Sequence, residues 1–304
     1  SDGTDTDIKS GYTIIQVDTS TVGEKTAVVN YFGTSAEIPV IVLDSFSVQV
    51  GTPNKEDVTA TFDLTTGIMN ISGTGEFSPI YSAENVPESI IKRVKILNIG
   101  NGITKIPSMM FPGTDTIELE QLSLPNTLEE IGGGNFCASK IKQLSFPQSL
   151  KKIGGQCFTN SAALSKLDFS EGLESIDTMS FNNCPLLTQL IFPSTLKNMQ
   201  YSFQGSTLEY LEIGGDGALF ATSGSAYIDR ISAKNTVIRG GTIDNGAFYY
   251  NNTVENLSLG EAVKWNGSGQ FNGCSNLTDV SISNGITSIP GNCFNGCAMI
   301  DNIV

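Results

Sequence analysis

Residues 141–158 read Ile141-Lys-Gln-Leu144-Ser-Phe146-Pro-Gln-Ser-Leu150-Lys-Lys-Ile153-Gly-Gly-Gln-Cys-Phe158. The pattern is apolar-x-x-Leu-x-apolar, a turn, apolar-x-x-apolar, and then an aromatic. It returns about every 23 residues, and a fixed period of that size is the signature of a solenoid. Outward from this stretch the sets are Val94/Leu97/Ile99/Ile103/Ile106/Phe111, Leu119/Leu122/Leu124/Leu128/Ile131/Phe136, Leu164/Leu167/Phe169/Leu173/Ile176/Phe181 and Leu187/Leu190/Phe192/Leu196/Met199/Phe203. The ladder resumes as Val254/Leu257/Leu259/Val263/Phe271 and Leu277/Val280/Ile282/Ile286/Ile289/Phe294.

Between Leu208 and Phe248 the pattern survives in pieces: Leu208/Leu211/Ile213, then Ile228/Ile231/Ala233/Val237, then Phe248. This stretch gathers Gly214, Gly215, Gly217, Gly224, Gly240, Gly241 and Gly246 with Phe220, Tyr227, Tyr249 and Tyr250. As the most atypical part of the array, it is where a functional address is expected first.

Alternation around each Leu-x-apolar pair predicts a strand half-buried on one side. Pro125, Pro147, Pro193 or Gly260 then ends it. The second apolar pair, three residues apart, is too short for a full helix and predicts a short strand or a 3₁₀ turn. The expected fold is therefore mostly β, a solenoid of about nine coils of about 23 residues with little α-helix. Residues 1–10 read as a flexible tail, 11–87 as a β-rich N-terminal segment including the solenoid cap, and 88–304 as the solenoid. Tyr12 to Val17, Thr26 to Phe32, Pro39 to Leu43, Phe46 to Val50, Val58 to Leu64 and Gly67 to Ser72 are short β-branched runs. They predict either a small sandwich or strands covering the first coil, whose open edge needs a cap.

The chain has 304 residues, 39% of them hydrophobic and 16% charged, enough to bury a sizeable core. Its formal charge of −14 argues against nucleic acid and against an anionic membrane face. No run of 18 or more apolar residues exists to span a bilayer. Ser1 to Asp7 carry neither a basic nor an apolar signal region and read as a tether left after a leader is removed. Asp2, Asp5 and Asp7 lack the order of a calcium loop and read as a solvated tail.

The chain contains no histidine, which removes Ser-His-Asp and Cys-His catalysis and imidazole metal sites. Glu129 with Glu130, Glu171 with Glu174, and Glu209 with Glu212 are close in sequence, but their repeat positions are expected to face solvent. Cys184, Cys274 and Cys297 each follow the repeat aromatic by three and are expected to fill the small buried slot that Ser161 and Ser206 occupy elsewhere. A Cys274–Cys297 bridge is disfavoured because in-register side chains point the same way. Cys137, Cys157 and Cys293 read as flanking the aromatic at differing offsets, without an equivalent in the next coil. No cofactor or metal is implied.

Two rows flank the strand leucines and form stripes along the concave sheet. One runs Gln121, Gln143, Lys166, Gln189, Tyr210, Arg230, Asn256 and Asp279; the other runs Ser123, Ser145, Asp168, Ile191, Glu212, Ser232, Ser258 and Ser281. Lys166, Asp168, Gln189, Ile191, Tyr210, Glu212 and Arg230 are the candidate binding residues, because the middle coils break the Ser and Gln monotony and Tyr and Arg are enriched at interface hot spots. The lone Trp265 reads as a packing adjustment, with an exposed anchor as the alternative.

The phrase from Ile141 to Phe158 resembles the BspA-type leucine-rich repeat of bacterial surface proteins. The run from Thr61 to Gly75 is similar to the capping segment that often precedes such repeats. The resemblance implies an extracellular or cell-surface protein, often lipid-anchored through an N-terminal leader, that binds host, matrix or cell-surface proteins or glycans, and it carries no shared catalytic residues. The expected function is a non-catalytic interaction module acting through the concave face. The alternative is a structural spacer that self-associates weakly through its C-terminal end, where Ile300 and Ile303 read as a further strand. An enzyme using carboxylates around 214–250 is disfavoured.

Overall fold

The computed structural model describes residues 12–15, 23–31, 34–42, 44–80, 86, 88–110, 118–199, 201–215, 219–220 and 231–304. The Ser1–Asp7 tail, Phe111, Gly217, Gly224, Tyr227, Ile228 and Arg230 lie outside these residues.

Each coil opens with a short parallel strand. In Gln143–Ser145, Lys166–Asp168 and Gln189–Ile191 the first and third side chains are exposed and the leucine is buried. The strands stack leucine on leucine: Leu97 pairs with Leu122, Leu144 with Leu167, Leu190 with Leu211 and Leu257 with Val280. A tight turn follows, in which the amides of Leu128, Leu150 and Leu196 donate to Pro125, Pro147 and Pro193.

In the first five coils the second apolar pair ends in a two-residue strand, and no 3₁₀ turn replaces it; Ile286 and Ile289 of the last coil lie in no strand. Lys105–Ile106, Glu130–Ile131, Lys152–Ile153, Ser175–Ile176 and Asn198–Met199 form one parallel five-stranded ladder. Helix is confined among the described residues to Glu88–Ile91, a 3₁₀ turn at Lys55–Asp57 and 3₁₀ backbone at Ile80.

The core is a set of stacked columns. Phe136, Phe158, Phe181 and Phe203 stack with centroids 5.3, 5.2 and 5.1 Å apart. A parallel column of Phe146, Phe169 and Phe192 meets them edge-on, as at Phe146–Phe181 and Phe192–Phe203. Both arrangements suit the ring quadrupole. The turn carrying each phenylalanine uses left-handed backbone at two recurring positions. One holds Gly134, Gln156, Met179, Tyr201, Gly246, Gly269 and Asn292; the other holds Ala138, Asn160, Asn183, Gly205, Tyr250, Gly273 and Gly296.

The N-terminal end is closed by a hairpin of Val58–Asp63 and Ile68–Gly73. Its second strand pairs in parallel with Ile96–Ile99, Met69 opposite Leu97, so it extends the concave sheet. Val58, Ala60 and Phe62 alternate onto the core, and Ser45–Gln49 adds the outer antiparallel strand. Tyr12–Ile15, Gly23–Tyr31 and Thr34–Val42 form a separate three-stranded antiparallel sheet.

The cysteines obey the same columns. Cys184, Cys274 and Cys297 are buried and donate to the carbonyls of Phe158, Phe248 and Phe271 in the preceding coil, as Ser161 does to Phe136. The expectation for Cys157 and Cys293 needs correction. Both precede a repeat phenylalanine by one, in a buried position that Asn135, Ser180, Ser202 and Gln270 fill in other coils. Burial pushes the thiols of Cys184, Cys274 and Cys293 up to about 12, so they behave as small neutral groups.

The irregular middle is a different solution to the same stacking problem. Ser232–Ile243 is one strand of 12 residues, paired in parallel with Thr207–Ile213 on one side and Asn256–Trp265 on the other. The concave strand and the short second strand, separated by a proline turn elsewhere, are here fused through a shift between Ile238 and Gly240. Leu219–Phe220 pairs beside Thr242 and Ile243. Gly214, Gly240 and Gly260 meet at this corner. A Cβ on Gly214, at φ 107°, would lie 2.2 Å from the Gly240 carbonyl oxygen, and one on Gly260 would lie 2.4 Å from that of Arg239. Close backbone approach accounts for these glycines. Trp265 packs partly buried against the core, in agreement with the packing reading.

Candidate binding surface

The concave face is built by period-two alternation: leucines turn inward and the flanking residues turn outward. Ser165, Lys166, Asp168, Thr188, Gln189 and Ile191 line one hollow of about 430 Å³, which unites four of the expected residues. Lys166 Nζ lies 2.9 Å from Asp168 Oδ2, and Ser145 donates to the same oxygen across the strand pair. Ile191 is 43% exposed, an apolar side chain between Asp168 and Glu212 in the stripe.

Tyr210 and Glu212 lie one strand further on, opposite Gln189 and Ile191. The Tyr210 hydroxyl donates to Glu212 Oε2 at 2.6 Å, and Arg239 Nε donates to Glu212 Oε1 at 2.8 Å. The bond to Glu212, with partial burial and the Glu212 charge, pushes the Tyr210 phenol up to about 12, against a smaller opposing pull from Arg239. Glu212 corrects the expectation that these carboxylates simply face solvent: its side chain is only 18% exposed and is held by two partners. Glu171 is also engaged. It accepts the Ser194 amide and hydroxyl, and the amide bond is the main cause that draws its carboxyl below the usual range.

Arg230 lies outside the described residues, and the row position expected for it is filled by Asn235. The strand register puts Asn235 opposite Tyr210, Thr236 opposite Leu211 and Val237 opposite Glu212. The row therefore passes through a residue five places later than the repeat spacing predicts. Thr236 is buried at the leucine position because its hydroxyl donates to the Ala233 carbonyl. The guanidinium that meets Tyr210 and Glu212 belongs to Arg239, which the sequence reading missed. The available signal was Val-Ile-Arg-Gly-Gly at 237–241, a strand ending in a tight corner.

Beyond Tyr210 a second hollow of about 360 Å³ is lined by Asn235, Val237, Asn256, Ser258 and Asp279. Asn256 Nδ2 donates to Asn235 Oδ1 at 2.8 Å, so the amides form a rung of a ladder along the face. No described helix is long and apolar enough to cross a membrane.

Residues 104–223 and 220–304 match the family model described as "BspA type Leucine rich repeat region", in 6 copies. Among solved structures, the chain is similar to the pneumococcal vaccine antigen PcpA, at 19% identity over 96% of this chain and 87% of that one, with a TM-score of 0.39. A leucine-rich repeat protein from Bacteroides ovatus aligns at 13% identity over 85% and 93% of the two chains, with a TM-score of 0.37. One from Eubacterium ventriosum aligns at 17% over 86% and 78%, with a TM-score of 0.31. No curated protein matches the chain.

Proposed function

The chain belongs to the BspA-type leucine-rich repeat family, and from that premise we propose that it is a non-catalytic interaction module, displayed at a cell surface or secreted. It binds a host, matrix or cell-surface protein or glycan through its concave sheet. The observation that carries this reading is the Tyr210–Glu212–Arg239 cluster. Its three side chains come from adjacent strands and are held by one another, so a partner meets an aromatic ring and a guanidinium with little rotamer entropy left to lose. Tyr and Arg are the residue types that dominate interface energetics when so placed. The neighbouring hollow of Lys166, Asp168, Gln189 and Ile191 extends the same surface. The absence of histidine and the engagement of Glu171 and Glu212 in fixed hydrogen bonds support a surface role over catalysis.

The test is capture of matrix and host-cell extract proteins and glycans on the immobilised intact chain. Tyr210→Ala with Arg239→Ala is expected to weaken retention about tenfold or more. Lys197→Ala, which removes an exposed pair with Glu174 on the second-strand face, is expected to leave it unchanged. Retention equal to wild type in the concave double variant would remove this face as the binding surface.

A further inference from the structure

Around each repeat phenylalanine from Phe136 to Phe294 the sequence runs without Lys, Arg, Asp or Glu, over 131–139, 153–165, 178–196, 198–208, 245–254, 265–278 and 280–300; charge-free runs also occur away from these turns, as at 26–36, 45–54 and 64–75. Together the first seven runs are about a third of a chain in which 16% of residues are charged, and each contains one repeat phenylalanine. The phenylalanine turns stack in register. Asn160 N donates to Asn182 O, Tyr250 N to Asn272 O and Gly273 N to Asn295 O. One lateral wall of the solenoid therefore presents amides, hydroxyls and glycine backbone without charge. Stacking alone does not forbid charge. The second-strand face carries Lys105–Glu130, Lys152–Asp177 and Lys197–Glu174 pairs across coils.

On this wall one coil departs from the rest. Where other coils place Cys137–Ala138, Thr159–Asn160, Asn182–Asn183, Gln204–Gly205, Asn272–Gly273 and Asn295–Gly296, this one places the aromatic pair Tyr249–Tyr250. The rings are 49% and 63% exposed, with centroids 4.3 Å apart and planes at 70°. Tyr250 sits at φ 55°, a conformation that costs a bulky residue more than Gly or Asn, which fill five of the other six equivalent positions, Ala138 being the sixth. Its ring lies over Gly273, where an added Cβ would meet Tyr250 Cδ1 at 2.4 Å. Beside it are uncharged hydrogen-bonding groups: Ser275 donates to Asn252 Oδ1 at 2.9 Å, and Asn276 Nδ2 to the Asn252 carbonyl at 2.6 Å. An exposed tyrosine pair with one ring carried on left-handed backbone points to a role at the surface.

We propose that Tyr249, Tyr250 and the adjoining Asn252, Ser275 and Asn276 form a second binding site, on the lateral wall and separate from the concave face, for a neutral carbohydrate. Exposed aromatic faces stack on the C–H faces of sugar rings, while amides and hydroxyls exchange hydrogen bonds with sugar hydroxyls. The lack of charge leaves no attraction for an acidic or basic polymer. Coils here repeat at 4.8 Å, judged by the Phe248–Phe271 stack, so a chain of repeated sugar units meets similar polar groups from coil to coil.

The probe is an array of neutral gluco-, manno-, xylo- and N-acetylglucosaminyl oligosaccharides beside sialylated and sulfated ones, read with the intact protein. Wild type is expected to bind neutral members with little change between low and high salt. The double variant Tyr249→Asn with Tyr250→Gly rebuilds the Phe-Asn-Gly turn of the next two coils. It is therefore expected to fold with an unchanged or higher Tm and to lose binding about tenfold or more. Arg239→Ala is expected to retain the neutral glycan. The proposal is overturned if only sialylated or sulfated members bind, if nothing neutral binds, if the double variant still binds, or if Arg239→Ala alone abolishes binding. Loss of partner capture in the concave variants with neutral-glycan binding intact separates this site from the concave one.

Discussion

From Glu118 to Met199 each coil breaks its backbone into a three-residue and a two-residue strand around a proline or glycine turn, and its interior is filled by stacked phenylalanines. From Thr207 to Trp265 the strands lengthen to seven, 12 and ten residues, the last two by fusion of concave and second strand, and glycines at the corner let the backbones approach. The first region draws its order from side-chain columns and the second from long hydrogen-bonded ladders. Where the ladders are long, the concave rows also carry the interlocked Tyr210, Glu212 and Arg239. A solenoid can thus keep its period while changing what holds one coil to the next, and the change coincides with its most varied surface chemistry.

The contrast predicts opposite sensitivities. Phe181→Ala removes a ring with stacked neighbours on both sides, Phe158 and Phe203, and is expected to destabilise by about 3–5 kcal/mol in urea unfolding. A loss under about 1 kcal/mol would mean that the columns fill space without holding the coils. Gly214→Ala puts a methyl group against the Gly240 carbonyl at positive φ, and is expected to cost about 2 kcal/mol or more. A neutral outcome would show the fused corner to be tolerant, and the glycine explanation would fail.

The smallest effect is electrostatic. Because the folded-state value of Tyr210 is raised above the ordinary 10.0, the contribution of its hydrogen bond is complete below pH 10 and lost as pH rises towards about 12. Near-ultraviolet titration is expected to show a late phenolate that disappears in Tyr210→Phe and moves towards 10 in Glu212→Gln. An unchanged late titration in Glu212→Gln would uncouple the pair.

Most of the regular architecture was legible because each repeat position has one job. Leu144, Ile153 and Phe158 recur at fixed spacing, and Ser161 and Cys184 share a slot because both are small and donate to a carbonyl behind them. Cys157 and Cys293 were misread as isolated because their buried position accepts Asn, Ser and Gln as readily as Cys. At the concave face, Lys166, Asp168, Gln189 and Ile191 were legible as neighbours, since strand alternation fixes which residues point outward.

The middle coil was not legible in the same way. Ile231 and Ala233 alternate as a strand should, and so do Thr236 and Ile238, so a period of two leaves several registers open. Only the packed backbone chooses between them. It buries Thr236 with its hydroxyl satisfied, seats Asn235 in the row, and brings Arg239 to Glu212. The sequence by itself determined a stacked solenoid with an aromatic column, because repetition makes every coil vote for the same structure. The tertiary structure alone decided which side chains meet where repetition lapses, because there hydrogen-bond register and close glycine contacts, not hydrophobic spacing, set the alignment of one coil on the next.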